Sequence, residues 1–343
     1  LQSDPYADVV VFAFDNASWQ VTGTTRVPFA TAATDGAYFY TYDSNEAVQV
    51  HAVSTLCNPC SNSDLPFYLA VGGDSVNATK QLSIVPFEYD EDYFFNLDCN
   101  ININLSLLAV YGIDWCTRGA NSQPLLAVGG EKAVSACNSV LNIFVYTFNG
   151  ICQDSCPNAS LMTQGTFDSN VVDSVQWCCN AGVNCPILPL LAVGGATAAN
   201  NINTRTYYIN QNNYSLNSYA YADDNGLKAI NSVAWNPAPC QCTNLTVGGC
   251  QIDEENPVCN VDVYKKIKNA TKLNLLTSSL FDTNVTSLDW CKTNTLPANY
   301  CAYLALGTTG TLPCEGGYDC TDQVFVCQAK FCQSANPNSP CQR

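Results

Sequence analysis

The chain has 343 residues, 47% of them hydrophobic and only 12% charged, and its 13 basic against 29 acidic side chains leave a formal net charge of −16. That acidity repels phosphate backbones and anionic lipid, so neither nucleic-acid binding nor attachment to a membrane surface is expected. No window approaches the ~18 uninterrupted apolar residues of a membrane span, and 21 cysteines point to a disulfide framework made in an oxidising compartment.

Taken in order, the chain opens at Leu1 without a basic and apolar leader, which fits a secreted protein whose signal has been removed. Residues 1–47 supply strands at Val9–Phe14, at 29–33 and at 37–42. From residue 48 onward the sequence repeats itself. Leu69-Ala-Val-Gly-Gly73 recurs letter for letter at Leu126 and Leu191, and as close relatives at Leu245 and Leu304. The starting leucines lie 57, 65, 54 and 59 residues apart, a period that indicates a stacked or radial array.

Ten to fourteen residues before each of these strands stands a second pattern, apolar-x-x-apolar-x-Trp. It is present at Val110–Trp115, Val172–Trp177, Ile230–Trp235 and Val285–Trp290, and without its Trp at Val50–Thr55. Trp at matching places in four repeats is expected to pack between neighbouring sheets. A Tyr/Phe/Val-rich third strand follows each Gly-Gly strand, beginning near Leu82, Leu141, Thr204, Val261 and Val324. A weaker fourth strand follows at Leu216 and at Lys272. Four consecutive strands per repeat predict four-stranded antiparallel blades with little helix.

These patterns resemble the WD-repeat β-propeller family over about residues 48–330, on the first strand typified by Ile230-Asn-Ser-Val-Ala-Trp-Asn-Pro and the small-residue second strand. The resemblance implies a single all-β propeller of four-stranded blades, with five visible repeats and five or six blades. The chain departs from the family in lacking the Gly-His dipeptide, His51 being its only histidine, and in third strands that do not end in Trp-Asp. The usual His and Asp bracing is therefore absent, and disulfides are expected to replace it. The last repeat lacks a fourth strand. Residues 1–47 either complete it, Tyr40-Thr-Tyr aligning with Tyr219-Ala-Tyr, or pair with a neighbouring molecule.

Loop-framing cysteines suggest staples joining Cys179 to Cys185, Cys250 to Cys259, Cys291 to Cys301 and Cys314 to Cys320. Cys57-x-x-Cys60 lacks the matched second pair of a zinc site and reads as structural. The polar, Pro-rich tail 331–343 is expected to be anchored by Cys341, either to Cys332 or to a neighbour. Spacing does not fix any of these pairings, and an odd count leaves one thiol free or bonded to another chain. Sequons begin at Asn16, Asn77, Asn104, Asn158, Asn213, Asn244, Asn269 and Asn284, which together with the cysteines suggests a glycoprotein carrying N-linked glycans.

Catalytic constellations are scarce. One histidine rules out a His-rich zinc site, and His51, between Val50 and Ala52, reads as a structural imidazole. Asp114 and Asp289 precede strand Trp residues, but Gln176 and Ala234 hold the same place in other repeats, so paired-carboxylate catalysis is not expected. The acidic runs Glu88–Asp92 and Asp253–Glu255 lack calcium-loop spacing, and no phosphate loop is present. No catalytic, cofactor or metal residue is assigned. The sequence thus leads to a secreted, non-catalytic structural or interaction module, with a filament, coat or wall subunit as one form of it. Its partners would be other protein chains, including copies of itself. A carbohydrate-binding propeller is the alternative, and a glycosidase the third reading.

Overall fold

The computed structural model describes residues 9–14, 21–27, 50–56, 67–73, 81–90, 93–96, 101–117, 123–133, 141–151, 157–178, 189–196, 201–210, 212–222, 227–236, 244–251, 260–266, 270–279, 281, 284–290, 301–313 and 319–330. All 22 of its elements are β-strands, and no helix occurs among the described residues. The chain divides into two compact units, Leu1–Val172 and Asp173–Arg343.

The first unit opens with a hairpin, β1 (Val9–Phe14) and β2 (Val21–Val27), paired antiparallel. Only β1 of this pair is expected from the sequence; the Thr-rich β2 is an addition. The other two N-terminal segments, 29–33 and 37–42, lie outside the described residues. A first sheet follows, in the order β3 (Val50–Leu56), β4 (Phe67–Gly73), β5 (Leu82–Asp90). Its fourth position is shared by β6 (Tyr93–Asn96) and β7 (Ile101–Ile103), which pair with opposite ends of β5. The second sheet runs β8 (Leu107–Cys116), β9 (Leu125–Lys132), β10 (Ile143–Asn149), β11 (Asn158–Gly165).

The second unit holds three sheets. The third is β12 (Val172–Cys178), whose first residue closes the first unit, then β13 (Leu190–Gly195), β14 (Thr204–Ile209) and β15 (Leu216–Ala222). The fourth is β16 (Leu227–Trp235), β17 (Asn244–Gln251), β18 (Val261–Lys265), β19 (Asn274–Ser279). The fifth has three strands, β20 (Asn284–Trp290), β21 (Cys301–Pro313) and β22 (Asp319–Lys330). The five repeats read from the sequence are these five sheets, and the missing fourth strand of the last is missing among the described residues as well.

One register is shared by four of them. The Trp position of the first strand lies opposite the leading Leu of the second: Trp115 faces Leu126, Trp235 faces Leu245, Trp290 faces Leu304, and Thr55 faces Leu69. Directly after the first apolar residue of the pattern one residue is bulged out, namely His51, Tyr111, Asn231 and Thr286, and β8 and β16 carry a second irregularity at Leu108 and Lys228. The bulge explains the apolar-x-x-apolar spacing. In an unbroken strand residues three apart point to opposite faces, whereas one inserted residue returns both to the same face.

That shared face meets the preceding sheet at the first glycine of its Gly-Gly pair. A Cβ on Gly72 would lie 2.4 Å from Val110 Cγ1 and 2.7 Å from Ile113 Cδ1. One on Gly194 would lie 2.5 Å from Ile230 Cγ2 and 2.8 Å from Val233 Cγ1, and one on Gly248 2.6 Å from Val285 Cγ1 and 3.0 Å from Leu288 Cδ1. The second glycine serves the bulge of its own sheet. A Cβ on Gly130 or Gly249 would fall 2.0 or 1.9 Å from the carbonyl oxygen of Ala109 or Ala229. The two recurring motifs are therefore two halves of one contact. Around these contacts the cores are aliphatic and aromatic: Leu82, Leu107, Leu126 and Phe148 in the first unit, Leu191, Ile230, Leu245 and Val285 in the second, all with at most 1% of their surface exposed.

Candidate functional site

The residues that recur act first on architecture. Each strand Trp is buried, and three indoles reach the preceding sheet. Trp115 Nε1 donates to Ser54 O, Trp235 Nε1 to Gln176 O and Trp290 Nε1 to Thr246 Oγ1, each at 3.2 Å. Serines on the first strands add to these ties. Ser174 Oγ accepts from the Val233 N–H at 3.2 Å, and Ser232 Oγ from the Leu288 N–H at 2.9 Å. The expected packing role of Trp between sheets is what these contacts describe.

A set of side chains that the sequence reading passed over does the bracing. Gln81, Asn142, Asn203 and Asn260 each stand one residue before, or at the start of, a third strand and are at most 1% exposed. The carbonyl of each accepts from the second glycine of the preceding strand: Gly73, Gly130, Gly195 and Gly249, at 3.1–3.3 Å. Their carboxamides hold the segment leading to the next sheet. Gln81 donates to Leu107 O at 3.1 Å and accepts from the Leu105 N–H at 2.8 Å. Asn142 donates to Ser169 O at 3.0 Å and accepts from the Phe167 N–H at 2.7 Å. Asn203 donates to Leu227 O at 3.1 Å, and Asn260 bonds Phe281 through both its amide atoms. Side-chain amides thus supply bracing that the sequence assigned to disulfides alone.

The bulged residues carry polar side chains. The exposed His51 ring lies 4.8 Å from that of Tyr111, whose hydroxyl donates to Glu131 Oε2 at 3.2 Å. His51 is therefore a solvent-facing ring on a bulge. Asn231 Nδ2 donates to Val285 O of the next sheet at 2.8 Å and to Cys250 Sγ at 3.2 Å. Thr286 Oγ1 donates to Gly307 O at 3.2 Å. Asp114 is half-buried and Asp289 exposed, each on its own unit.

Burial shapes the titration of a few groups. It pushes the Tyr146 hydroxyl up to about 12 and raises that of Tyr68, which donates to Ile151 O at 3.3 Å. It lowers Lys132 against the opposing pull of Asp168, and Lys132 Nζ donates to Phe167 O at 3.0 Å. Lys266 is lowered by burial too, its Nζ lying 4.3 Å from the centre of the Tyr219 ring.

Among the cysteines, Cys116 and Cys178 are disulfide-bonded. Neither stands among the staples expected from loop framing, although both directly follow a strand Trp, and that Trp-Cys dipeptide was a readable signal. Cys250 corrects an expectation: it carries a free, half-buried thiol instead of a bond to Cys259. It sits in β17 opposite Ala229, beside the bulge, where its sulfur faces the Asn231 amide. Cys301 opens β21 and Cys320 lies in β22; Cys57, Cys60, Cys179, Cys185, Cys259, Cys291, Cys314, Cys332 and Cys341 fall outside the described residues, as does the tail 331–343.

Of the sequon asparagines, Asn104, Asn158, Asn213 and Asn284 are exposed and Asn244 is half-buried; Asn16, Asn77 and Asn269 lie outside the described residues. Asn213 Oδ1 accepts from the Ser215 N–H at 3.2 Å and from its hydroxyl at 2.8 Å, so this sequon closes on itself at a hairpin turn. Among the described residues no cluster of His, Cys, Asp and Glu has metal-holding geometry, and no helix is long and apolar enough to cross a membrane. No protein-family model matches the chain, and no curated protein matches it.

Proposed function

We propose that the five sheets are blades of a WD-repeat-like β-propeller, secreted, N-glycosylated and braced by disulfides. It acts as a non-catalytic structural or interaction module, the repeating subunit of an extracellular filament, coat or wall. The observation that carries this reading is the use made of the recurring residues. Gly-Gly, the first-strand apolar pair, the Trp and the buried carboxamide all serve contacts within or between sheets, which is what a scaffold needs. What varies from repeat to repeat is left to loops and edges, where binding surfaces are carried. Fold alone does not assign function, so the test has to look at assembly.

That test is negative-stain imaging of the native full chain, with and without reductant, alongside light scattering. Ordered polymers or sheets of particles support the reading. Isolated discs at every concentration would overturn the assembly part and turn attention to a glycan screen for the carbohydrate-binding alternative.

A further inference from the structure

Among the described residues, two positions left unfilled in the strand pairing complement each other. The first is the outer edge of β22. The other four sheets have a fourth position filled; the fifth ends at β22, which pairs with β21 and with no other strand among the described residues. From Asp322 to Lys330 its register against β21 runs without interruption, from Thr309 to Cys301. The outer strands of the second, third and fourth sheets are different. Each is interrupted once along its third strand, between Val145 and Tyr146, Thr206 and Tyr207, and Val263 and Tyr264. Such bulges blunt an edge against pairing, and a long regular edge invites it.

The second is β1. Its six residues, Val-Val-Val-Phe-Ala-Phe, are all apolar and are bracketed by Asp8 and Asp15. A two-stranded hairpin is marginal by itself and gains from a further strand, and the second edge of β1 has no partner among the described residues. β1 pairs only with β2 among the described residues, and β2 lies along β6 of the first sheet. The fourth strands of the second to fourth sheets have 8, 7 and 6 residues, so β1, with 6, has the required length.

We propose that β1 of one molecule adds to the β22 edge left unpaired among the described residues in a second copy, supplying the fourth strand of its fifth sheet. This rests on the reading of the chain as an assembling module and names the two edges that join. Donor and acceptor are different surfaces of one chain, so the contact is heterologous and propagates head to tail unless a ring closes. Because both partners carry the same net charge of −16, the joint relies on main-chain hydrogen bonds, and added salt strengthens it.

The test uses the full chain, Val10→Pro and Val11→Pro variants, and a labelled peptide of residues 7–15. Neighbouring residues of a strand present their N–H groups to opposite edges, so one of the two prolines blocks the free edge and the other breaks the hairpin. Light scattering is expected to show the wild type growing with concentration and both variants needing about tenfold more protein to reach the same mass. The peptide is expected to shorten wild-type assemblies, which needs no variant to fold, and to slow amide exchange over residues 319–330 of the proline variants. Assemblies that ignore both prolines and the peptide would overturn this joint while leaving the module reading intact. A wild type that stays monomeric at all concentrations would overturn this joint together with the assembly part of that reading. A monomer whose 319–330 amides are protected until a proline is introduced would assign β1 to its own chain and overturn the pairing between copies.

Discussion

The carboxamide of Asn260 grips the main chain of Phe281 at both ends, Nδ2 donating to its carbonyl at 3.0 Å and Oδ1 accepting from its N–H at 2.8 Å. Asn142 does the same across Phe167 and Ser169, and Gln81 across Leu105 and Leu107. Each amide is buried, and each fixes the point where the chain leaves one sheet for the next. Replacing Asn260 by Ala leaves a partly buried N–H and C=O without their partner, which costs about 1–3 kcal/mol. A urea titration of Asn260→Ala should show that loss; an unchanged midpoint would mean that water replaces the side chain freely.

Gly194 is predicted to tolerate no side chain. Its Cβ would overlap both Ile230 and Val233 of the next sheet, so Gly194→Ala should cost about 1–3 kcal/mol by overpacking. The diagnostic is a double-mutant cycle with Ile230→Ala, which removes the nearest methyl group. The two changes should compensate in part, with a coupling of about 1 kcal/mol or more. Additive losses would show that the glycine serves its own strand and not the contact between sheets.

How far the sequence foretold these contacts depends on the residue. The strand order was legible because Leu-Ala-Val-Gly-Gly and the Trp pattern repeat at near-fixed separation. The bulge was latent in the spacing of Val110 and Ile113, since three residues cannot share one face of a regular strand. The amides were hidden for a different reason. They follow the Gly-Gly pair by eight residues at Gln81 and Asn203, eleven at Asn260 and twelve at Asn142, so loops of unequal length displace them from any fixed register. In a chain this rich in Asn, only burial separates these from the rest. Cysteine connectivity was not legible either. Loop framing assigned Cys250 a partner, but the residue's environment is set by Asn231, nineteen positions earlier in sequence and opposite it across a bulge.

Glycan attachment should follow exposure. Asn104, Asn158, Asn213 and Asn284 are open to solvent, whereas Asn244 is half-buried, opens the second strand of its sheet, and accepts the Asn236 N–H at 3.0 Å through its own carbonyl. Enzymatic release in heavy-oxygen water followed by peptide mass spectrometry should mark the four exposed sites more fully than Asn244. A native chain unmarked at all eight sequons would remove the glycoprotein element of the proposed function.

Alkaline stability should be governed in part by Tyr146. Its hydroxyl titrates near 12 in the folded chain against an ordinary 10.0, because burial disfavours the phenolate. A folded value above the unfolded one means that the contribution is fully present below pH 10 and is lost as pH climbs toward 12. Tyr68 shifts in the same direction and adds to the slope. Tyr146→Phe should therefore lose less stability than the wild type between pH 9 and about 11.5 in matched thermal melts. Parallel curves for the two proteins would place the alkaline transition elsewhere.

Cys250 offers the simplest chemical check on the disulfide framework. Twenty-one cysteines cannot all pair within one molecule, and this is a thiol left over. Its sulfur is half-buried beside the Asn231 amide, so a small alkylating reagent should reach it more slowly than a model thiol but without denaturant. Labelling the unreduced native protein should place the adduct on Cys250, and Cys250→Ser should abolish it. If the native protein instead runs as a reductant-sensitive dimer that Cys250→Ser converts to monomer, the thiol joins chains. In that case the strand edges of β1 and β22 would have a covalent competitor as the link between copies.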